Sequence, residues 1–552
     1  MNFEKYLPHP IMDFPGRTWP GKRLTKAPLW CSVDLRDGNQ SLQTPLTLEQ
    51  KLEFFDFLVK VGFKEIEVGF PASNEGEFQF IRTLIQQKLI PDDVTIQVLT
   101  MSREPVIRRT FESLVGVKNA TIHLYNATSP LFRDIVFKNS REETIELAVF
   151  GAKLLLKLAN EVSAKGGEKF NFEYSPECFS QTEPDFAAEV CNAVISCWEG
   201  QTVIINLPFT VESLTPNVHA DMVEYVCGKL KNRNQIQVSL HAHNDRGTAV
   251  AATELCLLAG ADRVEGTLFG NGERTGNADL ITLAMNMYSQ GIDPGLDFSN
   301  INKAVEIYSQ MTDLPVHPRH PYAGELVFTA FSGTHQDAIR KGMSRLKPGD
   351  VWEMPYLPID PKDVGRDYDE IIRVTSQSGS SSAAYILETN FGIHLPKPMQ
   401  KDFGPVFSEI SSKSVKELSH AEIHELFNKT YVNLESPLKF ISKQDFAQDN
   451  EACTLTCTME LNGEEKCTRG NGHGVIDAFC QALSQNYGFE FEIAHYSQHS
   501  LDSAEGAKAR AITYVGIVYN GKSFFGAGIS RSTTNSALKA VVSAVNRHLR
   551  AQ

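Results

Sequence analysis

No stretch of this chain carries the ~20 consecutive apolar residues that a membrane-spanning helix needs, which argues against an integral helical membrane protein. Its 10 cysteines include no Cys-x-x-Cys pair. Their scattered spacing suits reduced thiols in a cytoplasm better than a disulfide framework. Cys453 and Cys457 share one face of a strand, where core packing explains them better than metal binding does. Positive charge is in deficit, with 53 Lys and Arg against 67 Asp and Glu, for a net charge of −14. That excess argues against nucleic acid or an anionic membrane as partner. An anionic substrate would need a local basic or metal-bearing pocket. The segment from Met1 to Pro28 is broken by prolines and has no apolar core, so it reads neither as a signal peptide nor as an organelle transit sequence. The expected location is cytoplasmic. No glycine-rich phosphate fingerprint follows an early strand, which disfavours an open dinucleotide-binding sheet.

What is present is the composition of a folded soluble protein, 42% apolar and 22% charged. A length of 552 residues exceeds one ordinary core and predicts about two to four domains. From Leu29 to Gly270 a short β-branched or aromatic run, a polar turn and a helical stretch recur. The strand-like runs are Trp30–Asp34, Glu65–Phe70, Thr95–Thr100, Ala120–Tyr125, Lys169–Tyr174, Thr202–Leu207, Gln237–His241 and Arg263–Phe269. Strands alternating with helices predict parallel pairing through crossovers. Eight units in about 250 residues match a (β/α)8 barrel, the TIM barrel fold.

Chemistry in such a barrel sits at the C-terminal ends of the strands. Polar groups gather there in nearly every unit. Ser239-Leu-His-Ala-His-Asn-Asp245 is the most suggestive stretch, because His241 and His243, two apart on a strand, project together. Two hydrogen-bonded or surface histidines are the plain alternative. The first unit ends in Arg36 and Asp37, the fourth carries His123, and the fifth ends Glu173-Tyr-Ser-Pro-Glu177. The sixth leads to Thr210, and the eighth opens into Gly270-Asn-Gly-Glu-Arg-Thr-Gly-Asn277. Asp37 with the two imidazoles would offer a divalent metal one carboxylate and two nitrogens, leaving positions for a chelating substrate. Mg²⁺, Mn²⁺ and Zn²⁺ all remain open. A 2-oxo acid chelates through its carboxylate and keto oxygens, which points to carbon–carbon chemistry on an oxo acid or to metal-assisted hydrolysis.

Residues 299–430 read as a mostly helical connecting subdomain rather than a compact core, with the proline-rich Met354–Pro361 and the Ser- and Gly-containing Ser376–Ser382. His335 lies in a helix-start pattern, an ordinary place for a capping-region histidine. Residues 431–552 hold an internal repeat of α+β character. Alternating runs Thr454–Leu461 and Ile512–Tyr519 are each followed by Asn-Gly, a second run, a Gly-x-Gly and a helix. Asn-Gly between such runs predicts a hairpin. Gly470, Gly472, Gly526 and Gly528 are expected at strand-to-helix turns, where backbone N–H groups could approach a small regulatory ligand or simply permit tight turns.

Val33-Asp-Leu-Arg-Asp-Gly-Asn-Gln40, Glu67-Val-Gly-Phe-Pro71, His241-Ala-His-Asn-Asp245 and Gly270–Asn277 together resemble the 2-isopropylmalate synthase family. The likeness runs nearly end to end. It includes Asp13–Pro20 before the barrel and Pro355–Asp363 after it, features of the family's longer branch. The resemblance implies a barrel with its N-terminal arm over 1–298, linker subdomains over 299–430 and a leucine-binding regulatory domain over 431–552. It implies condensation of acetyl-CoA with 3-methyl-2-oxobutanoate, feedback by leucine, a homodimer, and a divalent metal with K⁺ as a candidate activator. Asp37, His241, His243 and Asn277 would serve the metal. Arg36 would steady negative charge, Glu177 would do acid–base work, and His123, Ser175 and Thr210 would line the oxo-acid site. His335 and Tyr356 match linker residues that reach an active site, the partner subunit's by expectation. Homocitrate or citramalate synthases, and a non-catalytic amino-acid sensor on the same fold, are the alternatives.

Overall fold

The computed structural model of the protein describes residues 12, 14–330, 333–366, 380–413, 418–449, 452–501 and 509–551. The start of the expected N-terminal arm (1–11 and 13) and part of the Ser376–Ser382 passage lie outside these. The chain divides into two compact units, one of residues 1–327 with 361–366, the other of 328–360 with 367–552.

The first unit is a closed parallel barrel of eight strands in sequence order. They are β1 (Leu29–Ser32), β2 (Glu65–Gly69), β3 (Thr95–Met101), β4 (Asn119–Ala127), β5 (Lys169–Glu177), β6 (Val203–Phe209), β7 (Ile236–Ala242) and β8 (Arg263–Gly266). β1 pairs with both β2 and β8, which closes the ring. The intervening helices start where their residues dictate. The Thr47 and Ser140 side chains accept from the third helical N–H, and their own backbone N–H groups donate to the Gln50 and Glu143 side chains, two full capping boxes. The outer layer packs apolar residues such as Phe54, Leu58, Phe80 and Leu155, all buried, against the strands.

Two strand expectations are too long by two residues or more at their C-terminal ends. β1 stops at Ser32, and Asp34–Gly38 forms a π-helical turn instead. β8 stops at Gly266, and Phe269 takes a φ of +57°. β5 and β6, by contrast, run past the expected Tyr174 and Leu207 ends. These are the positions where side chains are delivered to the barrel mouth.

The second unit corrects the expectation of a linker without a core. Helices Ser380–Phe391, Lys397–Lys413 and His420–Tyr431 bury Phe403, Phe407, Phe427 and Tyr431 together with Ile512, Tyr514 and Ala527 of a sheet. The repeat is one strand longer per copy than expected. β9 (Leu438–Asp449), β10 (Ala452–Leu461) and β11 (Glu464–Gly472) precede helix Val475–Tyr487, and β12 (Glu492–Ser500), β13 (Ala511–Tyr519) and β14 (Lys522–Ser530) precede helix Thr533–Arg550. Each copy is an antiparallel three-stranded sheet. The Asn462-Gly463 and Asn520-Gly521 hairpins have both central residues at positive φ, as two-residue turns demand. Buried residues of both copies, among them Leu455, Phe479, Val515 and Val541, form one core.

The four glycines are not at turns. Gly470 and Gly472 lie within β11, Gly526 and Gly528 within β14. A Cβ on Gly470 would sit 2.0 Å from the Ala478 carbonyl oxygen, and one on Gly528 2.0 Å from that of Ser536. Gly472 and Gly526 face the same helices at 2.5 and 2.3 Å. Their absent side chains let each helix lie directly on its sheet. Gly528→Ala is therefore expected to destabilise the second unit by ~1–3 kcal/mol, the usual cost of overpacking, measured by urea unfolding. A neutral substitution would mean the helix can move outward freely.

Candidate metal centre and active site

Alternation along the strands sends every second side chain inward, and here much of what points inward is polar. Glu65 and Glu67 come from β2, Gln97 from β3, His123 from β4, Glu173 and Ser175 from β5, Asn206 from β6, His241 from β7, and Arg263 and Glu265 from β8. A barrel interior is more often filled by bulky branched residues.

At the mouth, the Asp34–Gly38 turn presents Asp37, 2% exposed. His243 lies just beyond β7, where it bridges to Asn277 across the eighth loop. Asp37 Oδ2 stands 3.5 Å from His241 Nε2 and 3.7 Å from His243 Nε2. One ligand atom from each of the three residues lies within 4.8 Å of the others. Both imidazoles use their far nitrogen elsewhere. His241 Nδ1 is 2.8 Å from Glu265 Oε2, and His243 Nδ1 is 3.2 Å from the Gly276 carbonyl oxygen. That leaves both Nε2 atoms facing the carboxylate, the arrangement of metal-ligating histidines. Asn277 donates through Nδ2 to Asp37 at 2.8 Å and to the Asn271 carbonyl at 2.9 Å. Its Oδ1 is buried with no hydrogen-bond partner, an acceptor that a cation would satisfy.

Electrostatics agree with a cation site. Burial pushes the Asp37 carboxyl up, but the Arg36 guanidinium beside it and the His241 hydrogen bond hold it far below the usual carboxylate range. Burial likewise disfavours a charged His241, yet bonds to Asp37 and Glu265 raise it to about 9. His243 is lowered to about 4 by burial and by the neighbouring His241. A field that holds a proton on His241 also attracts a divalent ion, and the donor set fits one.

Arg36 joins this centre to the rest of the interior. It bonds Asp37 at 2.7 Å and pairs with Glu67. Glu67 also takes His123 Nδ1 at 2.8 Å, while His123 Nε2 meets Ser175 Oγ at 2.7 Å. A cavity of about 240 Å³ is lined by Arg36, Asp37, His123, Ser175, Glu177 and Thr210, together with both metal-facing histidines. Burial raises Glu177 above the usual range against the opposing pull of Arg36. Every barrel residue singled out from sequence, Asn277 included, therefore gathers at this mouth. His335 and Tyr356 belong to the second unit, where their rings stack at 4.0 Å, both exposed. The sequence reading gave no role to Glu67, Gln97, Asn206, Arg263, Glu265 or the cavity-lining Gln40 and Glu273. Its usable signal was charge at alternate positions of otherwise apolar runs, as in Arg263-Val-Glu265.

Residues 27–307 match the family described as HMGL-like, residues 325–388 the alpha-isopropylmalate synthase post-catalytic domain, and residues 417–549 the LeuA allosteric (dimerisation) domain. The chain is 54% identical over its whole length to the 2-isopropylmalate synthase of Acetoanaerobium sticklandii, covering 98% of that protein. It is 49% identical to the enzyme of the same name from Clostridium acetobutylicum over 99% of both chains, and 50% identical to that of Schizosaccharomyces pombe over 99% of this chain and 96% of that one. The chain belongs to the 2-isopropylmalate synthase family. It is an acyltransferase-type enzyme with a leucine-regulatory domain, and the sister synthases and the non-catalytic sensor are not favoured. The family is metal-dependent, in keeping with the clustered donors. No helix among the described residues is long and apolar enough to cross a membrane.

Glu173 is fully buried and both its oxygens lack hydrogen-bond partners. Burial, then the charge of Glu265, raise its carboxyl well above the ordinary range despite Arg263. The folded protein thus keeps a proton that the unfolded chain has lost, so stability falls as pH rises above the ordinary carboxylate range. Glu173→Gln is expected to flatten that fall and to be at least as stable as wild type at neutral pH. Lower stability in thermal unfolding across pH would assign Glu173 an ionised role instead.

Proposed function

We propose that the chain condenses acetyl-CoA with 3-methyl-2-oxobutanoate and water to give (2S)-2-isopropylmalate and CoA, the first committed step of leucine synthesis. The observation that carries this is the Asp37, His241, His243 and Asn277 donor set opening, with Arg36, into one cavity at the barrel mouth. A divalent ion (Mg²⁺, Mn²⁺ or Zn²⁺) held by these four would polarise the keto carbonyl of the oxo acid. Arg36 faces the same space and steadies negative charge as it develops on that oxygen. Thr210, Ser175 and His123 line the oxo-acid wall, beside the apolar Leu99 and Pro208, which suit a branched side chain.

The acetyl methyl is a weak carbon acid, so a positioned base must take its proton before the new carbon–carbon bond forms. Glu177, raised by burial, is suited to holding and returning a proton in this sequence. His335 and Tyr356, stacked in the second unit, are assigned to the partner subunit's active site in a cytoplasmic homodimer. Water then cleaves the thioester and releases CoA. K⁺ is retained as a candidate activator.

The division into barrel (1–298), linker (299–430) and regulatory domain (431–552) belongs to the same reading. The glycines within β11 and β14 are committed to packing, so leucine is assigned to a different place in the regulatory domain. A cavity there is lined by Ile476, Cys480, Phe491, Ile493 and Tyr496, with Asp477 at its wall. Apolar groups beside the carboxylates of Asp477, Glu490 and Glu492 match an aliphatic side chain and an ammonium group.

Thiol release from acetyl-CoA against a panel of 2-oxo acids tests the reading. The rate should be greatest with 3-methyl-2-oxobutanoate, vanish with a chelator, and fall with added leucine. Preference for 2-oxoglutarate or pyruvate would transfer the chain to a sister synthase. Asp477→Asn should weaken leucine inhibition while leaving uninhibited turnover intact. Unchanged inhibition would place the effector elsewhere.

A further inference from the structure

Of the two imidazoles at the barrel mouth, only one is backed by a charge. His243 Nδ1 faces a neutral carbonyl at 3.2 Å, whereas His241 Nδ1 faces the Glu265 carboxylate at 2.8 Å. Glu265 is fully buried and is surrounded by donors. Arg263 Nη1 reaches its Oε1 at 2.8 Å, Gln97 Nε2 reaches the same oxygen at 3.0 Å, and Asn206 Nδ2 reaches Oε2 at 3.3 Å. An ionised carboxylate can only accept, so the proton between Glu265 and His241 sits on Nδ1. The lone pair left for a cation is then the one on Nε2, which faces Asp37.

Arg263 keeps this carboxylate in place. It is itself fully buried and also bonds Glu65 at 2.6 Å, Gln97 Oε1 at 2.8 Å and Ser239 Oγ at 2.8 Å. Gln97 extends the tie further, because its amide also reaches Glu67, the residue that holds Arg36 and His123.

We infer that Glu265 is a positioning residue for the metal centre: it fixes the tautomer and ring orientation of His241 and makes its Nε2 the stronger donor of the pair. Arg263 is the counter-ion that makes a carboxylate tolerable at that depth. Gln97 is the neutral link through which the metal side and the oxo-acid wall share one set of bonds. This rests on Asp37, His241 and His243 being the ligands.

The full-length enzyme, stripped of metal and titrated with Zn²⁺ against a chelating dye, reads the effect without turnover. Glu265→Gln keeps an acceptor but removes the charge, and should weaken Zn²⁺ binding ~10–100-fold, the range for partners of ligating histidines. The visible absorption of bound Co²⁺ should shift with it. Glu65→Gln removes a carboxylate from the other side of Arg263 without touching His241. It should lower stability yet leave Zn²⁺ affinity within about twofold of wild type.

Equal weakening by both variants, or wild-type affinity in Glu265→Gln, overturns the inference. A wild-type measurement stands beside these should Glu265→Gln fail to fold. Nitrogen chemical shifts of labelled His241 in the Zn²⁺-loaded enzyme, assigned by difference from His241→Asn, should show the proton on Nδ1, and a proton on Nε2 overturns the inference. His241→Ala separates the two levels. If it leaves Zn²⁺ binding unchanged, the ligand assignment itself falls; if it abolishes binding while Glu265→Gln does not, only the positioning role falls.

Discussion

A charge removed from water must be met by an opposite charge or by hydrogen bonds, and the catalytic unit is built around one such obligation. Arg263 has no contact with solvent, and its guanidinium is satisfied only because Glu65, Gln97, Ser239 and Glu265 converge on it from four strands. Those same partners orient the catalytic end. Glu265 turns His241, and Gln97 ties Glu265 to Glu67, which in turn holds Arg36 and His123. The floor of the barrel and its mouth are therefore one bonded structure. Glu173 lies in the same layer, where burial and the charge of Glu265 raise its carboxyl well above the ordinary range.

The polar interior also explains why the barrel closes in this register. Neighbouring strands place Glu67 beside Gln97, His123 beside Glu173, and His241 beside Glu265. A slip of one residue would turn each of these outward and leave Arg263 unpaired. A buried ionic layer of this kind is by itself weak evidence of added stability. The turn at Asp34–Gly38 and the bridge between His243 and Asn277 then complete the mouth, beyond the regular strands.

The second unit follows a different rule, close approach without charge. In β11 and β14 the missing side chains of Gly470, Gly472, Gly526 and Gly528 bring helix backbone onto sheet backbone. That reading displaces the expectation of glycine turns around a ligand. A Gly-x-Gly before a helix looks alike in sequence whether it ends a strand or lies inside one, and only the pairing of Gly470 with Leu455 and of Gly528 with Thr513 tells them apart. The missing first strand of each copy has a similar cause: the residues of Leu438–Asp449 and Glu492–Ser500 do not alternate cleanly between apolar and polar.

By itself, the sequence determined the order of eight strand–helix units, the Asn-Gly hairpins, and the kinds of residue at the strand ends, including Arg36, Asp37, His241 and His243. These are local properties, written in periodicity and turn chemistry, and the family likeness rests on the same short motifs. Tertiary structure alone decided that Asp37 meets imidazoles some two hundred positions away, that Asn277 keeps an unpaired oxygen beside them, and that Glu265 stands behind His241. The reason is physical: closing the barrel brings distant strands into one dry interior, and which charges pair there depends on register and depth, neither of which any single segment encodes.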